Sequence, residues 1–398
     1  MAVEDTPLLS HRPRTPLPKL QFSLILLAQV SEPLTSMSIF PYVNQLVSEL
    51  DITGGDEKKV GYYAGLESLF FLTETMTVLQ WSRASDYVGR KPILLIGLFG
   101  TALSILSFGL SRTFWMLVLS RCLCGLLCGN MGVMKSTMAD LTDRTNRAQG
   151  FALVPITWAL GTNPNSTKLE VGVSKVPARR PLPLRKILRY PAVVLSVSNY
   201  VMIAFLNTSY MALFPLFATM PVEIGGLGLS PPTIGFLFSI YGVITGCVQV
   251  FLFAPLVNRF GEKRVFLGGI ASCLPIYSLF PIMSGIARQY GFPPGLWALV
   301  GCSLVCCALM DIGFSAIFLY ITASVPRSSR GTANGLSQTS VSLARAIAPA
   351  LATSLFSFSV EYDVLGGYFV YLVFIGISAL ALVLAARLPK EVWDDSDD

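Results

Sequence analysis

Charge is scarce in this chain. Only 13% of its 398 residues are Asp, Glu, Lys or Arg, about half the share of an ordinary soluble domain. There is a single histidine, His11. No glycine-rich loop ends in Gly-Lys-Ser or Gly-Lys-Thr, so the sequence offers no phosphate cradle for a primary pump. Paired catalytic groups are missing too, which argues against an enzyme. The eight cysteines (Cys122, Cys124, Cys128, Cys247, Cys273, Cys302, Cys306, Cys307) all fall inside apolar runs, with no histidine at metal-ligand spacing. They read as small buried hydrophobes, and no metal or cofactor is expected. The first twenty residues are polar and hold four prolines. They lack the apolar core of a cleavable leader, so targeting is expected to fall to the first spanning helix.

What is present is hydrophobicity, at 53% of residues. Apolar runs of about twenty residues follow one another, as a bilayer core of about 30 Å requires. Ten spans are expected, near 20–47, 60–81, 93–111, 114–136, 191–217, 232–257, 265–287, 295–323, 335–358 and 366–387. Backbone groups in lipid must be satisfied within the segment, so each run is expected to be a helix. Pro33, Pro215 and Pro349 fall within them. An eleventh run, between Gly150 and Gly161, is too short for a perpendicular crossing. The expected fold class is therefore an all-α membrane bundle of about 10–11 spans.

The polar stretch after that short run carries Lys168, Lys175, Arg179, Arg180, Arg185, Lys186 and Arg189 against one acid, Glu170. It reads as a cytosolic linker between two halves. The division is a tail over 1–19, a first helical half over 20–162, the linker over 163–189, a second half over 190–388 and an acidic tail over 389–398. With both termini cytosolic and the short run not crossing, 22 basic residues lie on the cytosolic side and four opposite. That asymmetry fits the positive-inside rule. The net charge of +6 then belongs to the loops and does not mark a nucleic-acid surface. The N-terminal tail holds Glu4-Asp5-Thr6-Pro7-Leu8-Leu9. This resembles an acidic dileucine signal, which sorting adaptors read, here at Leu8 and Leu9, on vacuole- or lysosome-bound cargo; the expected address is the vacuolar or the plasma membrane.

An internal repeat supports two related halves. Asp86-Tyr87-Val88-Gly89-Arg90-Lys91-Pro92 follows the second span, and Asn258-Arg259-Phe260-Gly261-Glu262-Lys263-Arg264 follows the second span of the later group. Arg144-Thr145-Asn146-Arg147 returns as Arg327-Ser328-Ser329-Arg330. Repeated halves are a signature of secondary transporters.

The loop with Asp86 followed by Gly89-Arg90-Lys91 resembles the one between helices two and three of the major facilitator superfamily. Arg121 with Gly125 and Gly129 resembles the fourth-helix signature of its proton-linked drug antiporters. Glu32-Pro33, Ser38-Ile39-Phe40-Pro41-Tyr42 and Gly129-Asn130 are similar to the zinc-induced-facilitator-like branch. The resemblance covers about 20–160 and 185–390. It implies a bundle of two pseudo-symmetric halves that carries a small solute by alternating access, coupled to protons. A full member has twelve spans. Here the end of helix five and all of helix six are missing after Trp158-Ala159-Leu160-Gly161. The alternative is therefore a truncated product of a transporter gene that does not transport. An unrelated multi-span receptor or channel fits the repeat less well.

Residue roles follow, each with a plainer alternative. Asp86, Gly89, Arg90 and Lys91, with Gly261, Lys263 and Arg264 in the repeat, form either a conformational latch or a charged turn that fixes topology. Arg121 is a guanidinium deep in a span, expensive there unless paired or hydrated. The acids within reach of a span are Glu32, Glu67, Glu74 and Asp311. Proton coupling is expected of Glu32, Glu67, Arg121 and Asp311, the alternative being a static ion pair, with the depth of Glu74 left open between intramembrane and interfacial. Gly125, Gly129 and Gly132 share a face of helix four and suit close packing, with the truncated helix five as the expected neighbour. Asn130, Asn199, Asn207, Tyr210, Gln249, Asn334, Gln338 and Arg345 either line a central solute cavity or bond helix to helix. The expected partners are a small solute, protons and the bilayer.

Overall fold

A computed structural model describes residues 18, 20–31, 46–47, 57–128, 130–142, 190–324 and 330–390. Glu32, Gly129, the short run between Gly150 and Gly161, the linker and most of both tails lie outside those residues. So do the side chains of Glu67, Asp86 and Lys135.

The described residues form helices and turns, with no strand among them. The first half begins with α1 (Leu20–Ser31). It continues with α2 (Val60–Ala64), α3 (Glu67–Val88), α4 (Arg90–Gly109), α5 (Phe114–Leu127) and α6 (Asn130–Leu141). The second half holds α7 (Pro191–Thr219), α8 (Pro231–Cys247), α9 (Phe253–Phe260), α10 (Glu262–Ala271) and α11 (Cys273–Tyr290). It ends with α12 (Pro294–Ala323), α13 (Arg330–Glu361) and α14 (Phe369–Ala386).

Eight helices among the described residues are long and apolar enough to cross a bilayer: Arg90–Gly109, Phe114–Met134, Pro191–Thr219, Pro231–Phe260, Glu262–Tyr290, Pro294–Ile321, Ala333–Glu361 and Phe369–Ala386. Two further spans were expected from the sequence. Of the first, only the apolar helix Leu20–Ser31 is described. The second is α3, whose 22 residues reach about 33 Å at 1.5 Å each. Its hydropathy is lowered by Glu67, Glu74, Arg83 and Asp86, so length alone qualifies it.

Three spans are broken in their middle. A π-helical turn over Val248–Leu252 joins α8 to α9. Ser272 separates α10 from α11, just before Pro275, which has no N–H for the ladder. Cys128 leaves the helical region between α5 and α6, with ψ at 79°. Pro349 lies inside α13 and disturbs the ladder around it. The neighbouring Ala350 amide donates instead to Ser68 Oγ on α3, at 3.0 Å. This is how membrane helices tolerate proline: an adjacent helix satisfies the freed group.

The repeat is visible in the backbone. Gly89, between α3 and α4, has φ +97° and ψ 157°. Gly261, between α9 and α10, has φ +79° and ψ 159°. Both take a conformation that a Cβ disfavours, at matching joints of the two halves.

Within the first half α3 packs on α4, α5 and α6; within the second, α12 packs on α7, α8, α10 and α11. The helix α13 joins them, touching α7, α12 and α14 on one side and α2, α3 and α6 on the other. The outer faces carry apolar side chains, such as Phe99, Leu106, Trp115, Phe236, Phe251 and Leu380, all well exposed. Such faces suit lipid.

Candidate functional site

The polar groups buried inside this apolar bundle fall into two sets. The first lies where the halves meet. Glu74 is only 1% exposed, and its Oε2 accepts a hydrogen bond at 2.9 Å from Ser342 Oγ on α13. Glu74 is thus deep in the bundle, a depth the sequence left open. One turn beyond Ser342, Arg345 is 7% exposed, with its guanidinium 5.7 Å from the centroid of Phe71 on α3. About two turns of α3 therefore face α13 through Ser68, Phe71 and Glu74.

Arg121 is 1% exposed. Its guanidinium stands 4.4 Å from the Phe108 ring centroid on α4, a cation–π contact that strengthens when water is excluded. On the same helix Gly125 presses against α3. A Cβ there would overlap Thr73 Oγ1 and the Phe70 carbonyl, and Thr77 Oγ1 donates to the Gly125 carbonyl at 3.3 Å. Gly132 sits more loosely, with Val78 of α3 at 3.8 Å. The glycine face was expected to meet helix five. Gly125 and Gly132 lie against helix two, α3, and the short run that would supply helix five lies outside the described residues. Asn130 lies against Gly97 of α4.

The second set lies wholly in the second half. Asp311, on α12, is 8% exposed. Its Oδ2 accepts from Tyr241 Oη at 2.5 Å and from Thr245 Oγ1 at 3.3 Å. Its Oδ1 accepts from Asn207 Nδ2 at 3.2 Å. Two helices, α7 and α8, supply these donors to the acceptor on α12. On either side of Asp311 the seam continues, with Tyr210 Oη and Ser303 Oγ 3.0 Å apart and Gln249 Nε2 donating to Ser315 Oγ.

Tyr241 and Thr245 were not singled out from the sequence. A signal existed: Tyr241, Thr245 and Gln249 are four apart, as are Ser303, Cys307, Asp311 and Ser315. Each series makes one face of a helix. Of the expected cavity residues, Asn207, Tyr210 and Gln249 bond within the second half, and Asn199 Nδ2 donates to the Leu195 carbonyl of its own helix at 2.9 Å. Asn334, Gln338 and Arg345 are buried on α13.

At the repeated loops, Arg90 Nη1 donates to Thr137 Oγ1 on α6 at 3.1 Å. Lys263 Nζ donates to the Ala386 carbonyl at 2.7 Å, a cation on the last carbonyls of α14, where the helix dipole favours it. Lys91 and Arg264 are exposed. The described residues contain no cluster of three or more metal-ligating side chains.

Comparison with known proteins adds to this geometry. The profile of the Major Facilitator Superfamily matches residues 25–163 and 178–396. The efflux pump azaK of Aspergillus niger is 28% identical over 423 residues, which span 94% of this chain and 88% of the pump. The protein ZINC INDUCED FACILITATOR 1 of Arabidopsis thaliana is 22% identical over 418, spanning 86% and 85%. Both alignments run longer than the 398 residues here, so each relative carries stretches this chain lacks. The crystal structure of the human organic anion transporter MFSD10 (TETRAN) superposes with a TM-score of 0.70 at 16% identity, over 93% of this chain and all of that one.

Proposed function

The chain belongs to the Major Facilitator Superfamily, and from that membership we propose that it moves a small organic solute across its membrane in exchange for protons. It is a multi-pass membrane protein of a transport family. The finer reading rests above all on Glu74, a carboxylate buried between the two halves and hydrogen-bonded to Ser342 at 2.9 Å.

A carboxylate in so dry a place is costly to keep ionised and exchanges protons when access changes. Its charge state alters how α3 holds α13, and hence how one half sits on the other. Alternating access is a rocking of such halves about a central site. Arg121 on the adjacent α5 supplies a fixed positive charge to the same half. Glu32 and Glu67 are proposed as further coupling acids. The glycine joints at Gly89 and Gly261, with Arg90 and Lys263 tied to neighbouring helices, act as latches on the cytosolic face. The relatives, an efflux pump and an organic anion transporter, favour export of an organic solute. Vacuolar or plasma membrane is the proposed address, reached through Leu8 and Leu9.

The relatives' extra stretches favour a second reading of this particular form. With helix six absent, the rocking surface is incomplete, and the 398-residue chain does not finish the cycle. Purified chain in proteoliposomes, given a pH gradient and a panel of organic anions, cations and zwitterions, tests both. The same chain with helices five and six restored is run beside it. Saturable, protonophore-sensitive uptake that Glu74→Gln abolishes supports coupling through Glu74. Uptake by the restored chain alone supports the truncated reading. Uptake indifferent to the gradient in both would overturn the proton-coupled reading.

A further inference from the structure

The second half contains a buried carboxylate that the interface at Glu74 does not use. Asp311 is enclosed by three neutral donors from two other helices, Asn207 on α7 and Tyr241 and Thr245 on α8. The titratable groups facing it are equally neutral at physiological pH. They are Tyr210 on α7, Tyr241 on α8, Cys273 on α11 and Cys307 one turn back on α12. The described hydrogen-bond partners of Asp311 are all uncharged. An isolated carboxylate at such depth needs a counter-charge or a proton.

The enclosure decides which. With 8% of its surface exposed and both oxygens already engaged, Asp311 has no room for an organic ammonium ion or a hydrated metal. A proton fits. The cradle also suits either state of the acid without moving a heavy atom. When Asp311 is ionised, two hydroxyls and an amide donate to it. When it is protonated, its own O–H donates to Tyr241 Oη, because a phenol both gives and accepts. The phenol proton then turns away from the carboxyl, towards the side of Cys307, which neighbours Tyr241 one turn back on α12. Thr245 can return its proton to a carbonyl of its own helix. Asn207 keeps its bond to Oδ1 throughout.

A second observation sits beside it. The π-helical turn Val248–Leu252 begins one turn after Thr245, and such turns recur at functional sites. It carries Gln249, whose side chain binds Ser315, one turn along α12 from Asp311. A polar seam thus runs along α12 from Ser303 to Ser315, with Asp311 within it.

We propose that Asp311 takes up and releases a proton inside this cradle, as an exchange site of the second half separate from Glu74 and Arg121. What the proton is for rests on the proton-coupled reading above; its exchange does not. The test is infrared difference spectroscopy of the full 398-residue chain in lipid, between acidic and alkaline buffer, with no solute added. A carboxylic acid C=O band that titrates is expected, and Asp311→Asn should remove it. Tyr241→Phe should keep the band and shift its frequency, since the protonated carboxyl loses the oxygen to which its O–H donates. That second variant carries the test should Asp311→Asn fail to give a monodisperse protein. A difference spectrum unchanged in both variants would overturn the proposal. A titrating Asp311 in a chain whose restored form shows no gradient-driven uptake would sink the transport reading and leave this one standing.

Discussion

At Gly125 the spacing of two helices is set by the absence of one carbon. Any side chain there would overlap the Phe70 carbonyl, and a backbone atom cannot swing aside. Gly125→Val should therefore push α5 from α3 and cost about 1–3 kcal/mol, the usual range for overpacking. Gly132→Ala is the control. Its nearest neighbour stands at 3.8 Å, ordinary van der Waals contact, so the new methyl fits. Thermal unfolding in detergent, followed by fluorescence-detected size exclusion, should show a clear loss for the first and little change for the second. Equal losses would mean that the close approach at Gly125 is not what holds the pair. The sequence marked both glycines as packing residues. It could not rank them, because a share of a helix face says nothing about how near the neighbour comes.

The contact of α2 and α3 with α13 is the largest element-scale feature between the halves. Gly65 brings α13 close, with Ala350 Cα 3.1 Å from where its Cβ would stand. Tyr62 Oη donates to Glu361 Oε2 at 2.8 Å, and Ser68 Oγ accepts from the Ala350 amide at 3.0 Å. Pro349 explains the last bond, since the helix is disturbed where Ser68 reaches in. Ser68→Ala should leave that amide buried without its acceptor and cost about 1–3 kcal/mol. Ser68→Thr keeps the oxygen and should recover most of the loss in the same unfolding assay. Recovery absent in the threonine variant, with alanine harmless, would show that water or a carbonyl serves the amide instead. Pro349 was visible in the sequence as a tolerated irregularity. Its satisfier was not, because Ser68 lies 282 residues away and only packing brings it near.

For the molecule as a whole, the orientation of the halves hangs on the basic stretch before Tyr190. Asn165-Ser166-Thr167 lies in that stretch and is a glycosylation sequon. With the stretch cytosolic, Asn165 should remain unmodified when the chain is made in a eukaryotic host, and endoglycosidase should leave its gel mobility unchanged. A mobility shift abolished by Asn165→Gln would place the stretch across the membrane and invert the second half. The charge asymmetry of 22 to four is the reason to expect no sugar, since moving seven basic residues outside would defeat the positive-inside bias.

The sequence alone determined the medium, the secondary structure and the repeat. Low charge and successive apolar runs demand a bilayer, and a bilayer demands helices, because no water is there to satisfy the backbone. The joints at Gly89 and Gly261 were also legible, since local conformation there depends on the residue itself. The pairing of buried polar groups was decided by tertiary structure. Asp311 was one acid among several until α7 and α8 delivered Asn207, Tyr241 and Thr245 to it, and the depth of Glu74 stayed open until α13 closed over it. Hydropathy is additive along the chain, so it can be read in order. A hydrogen bond inside a membrane protein requires two groups to arrive together, and that depends on how the helices pack.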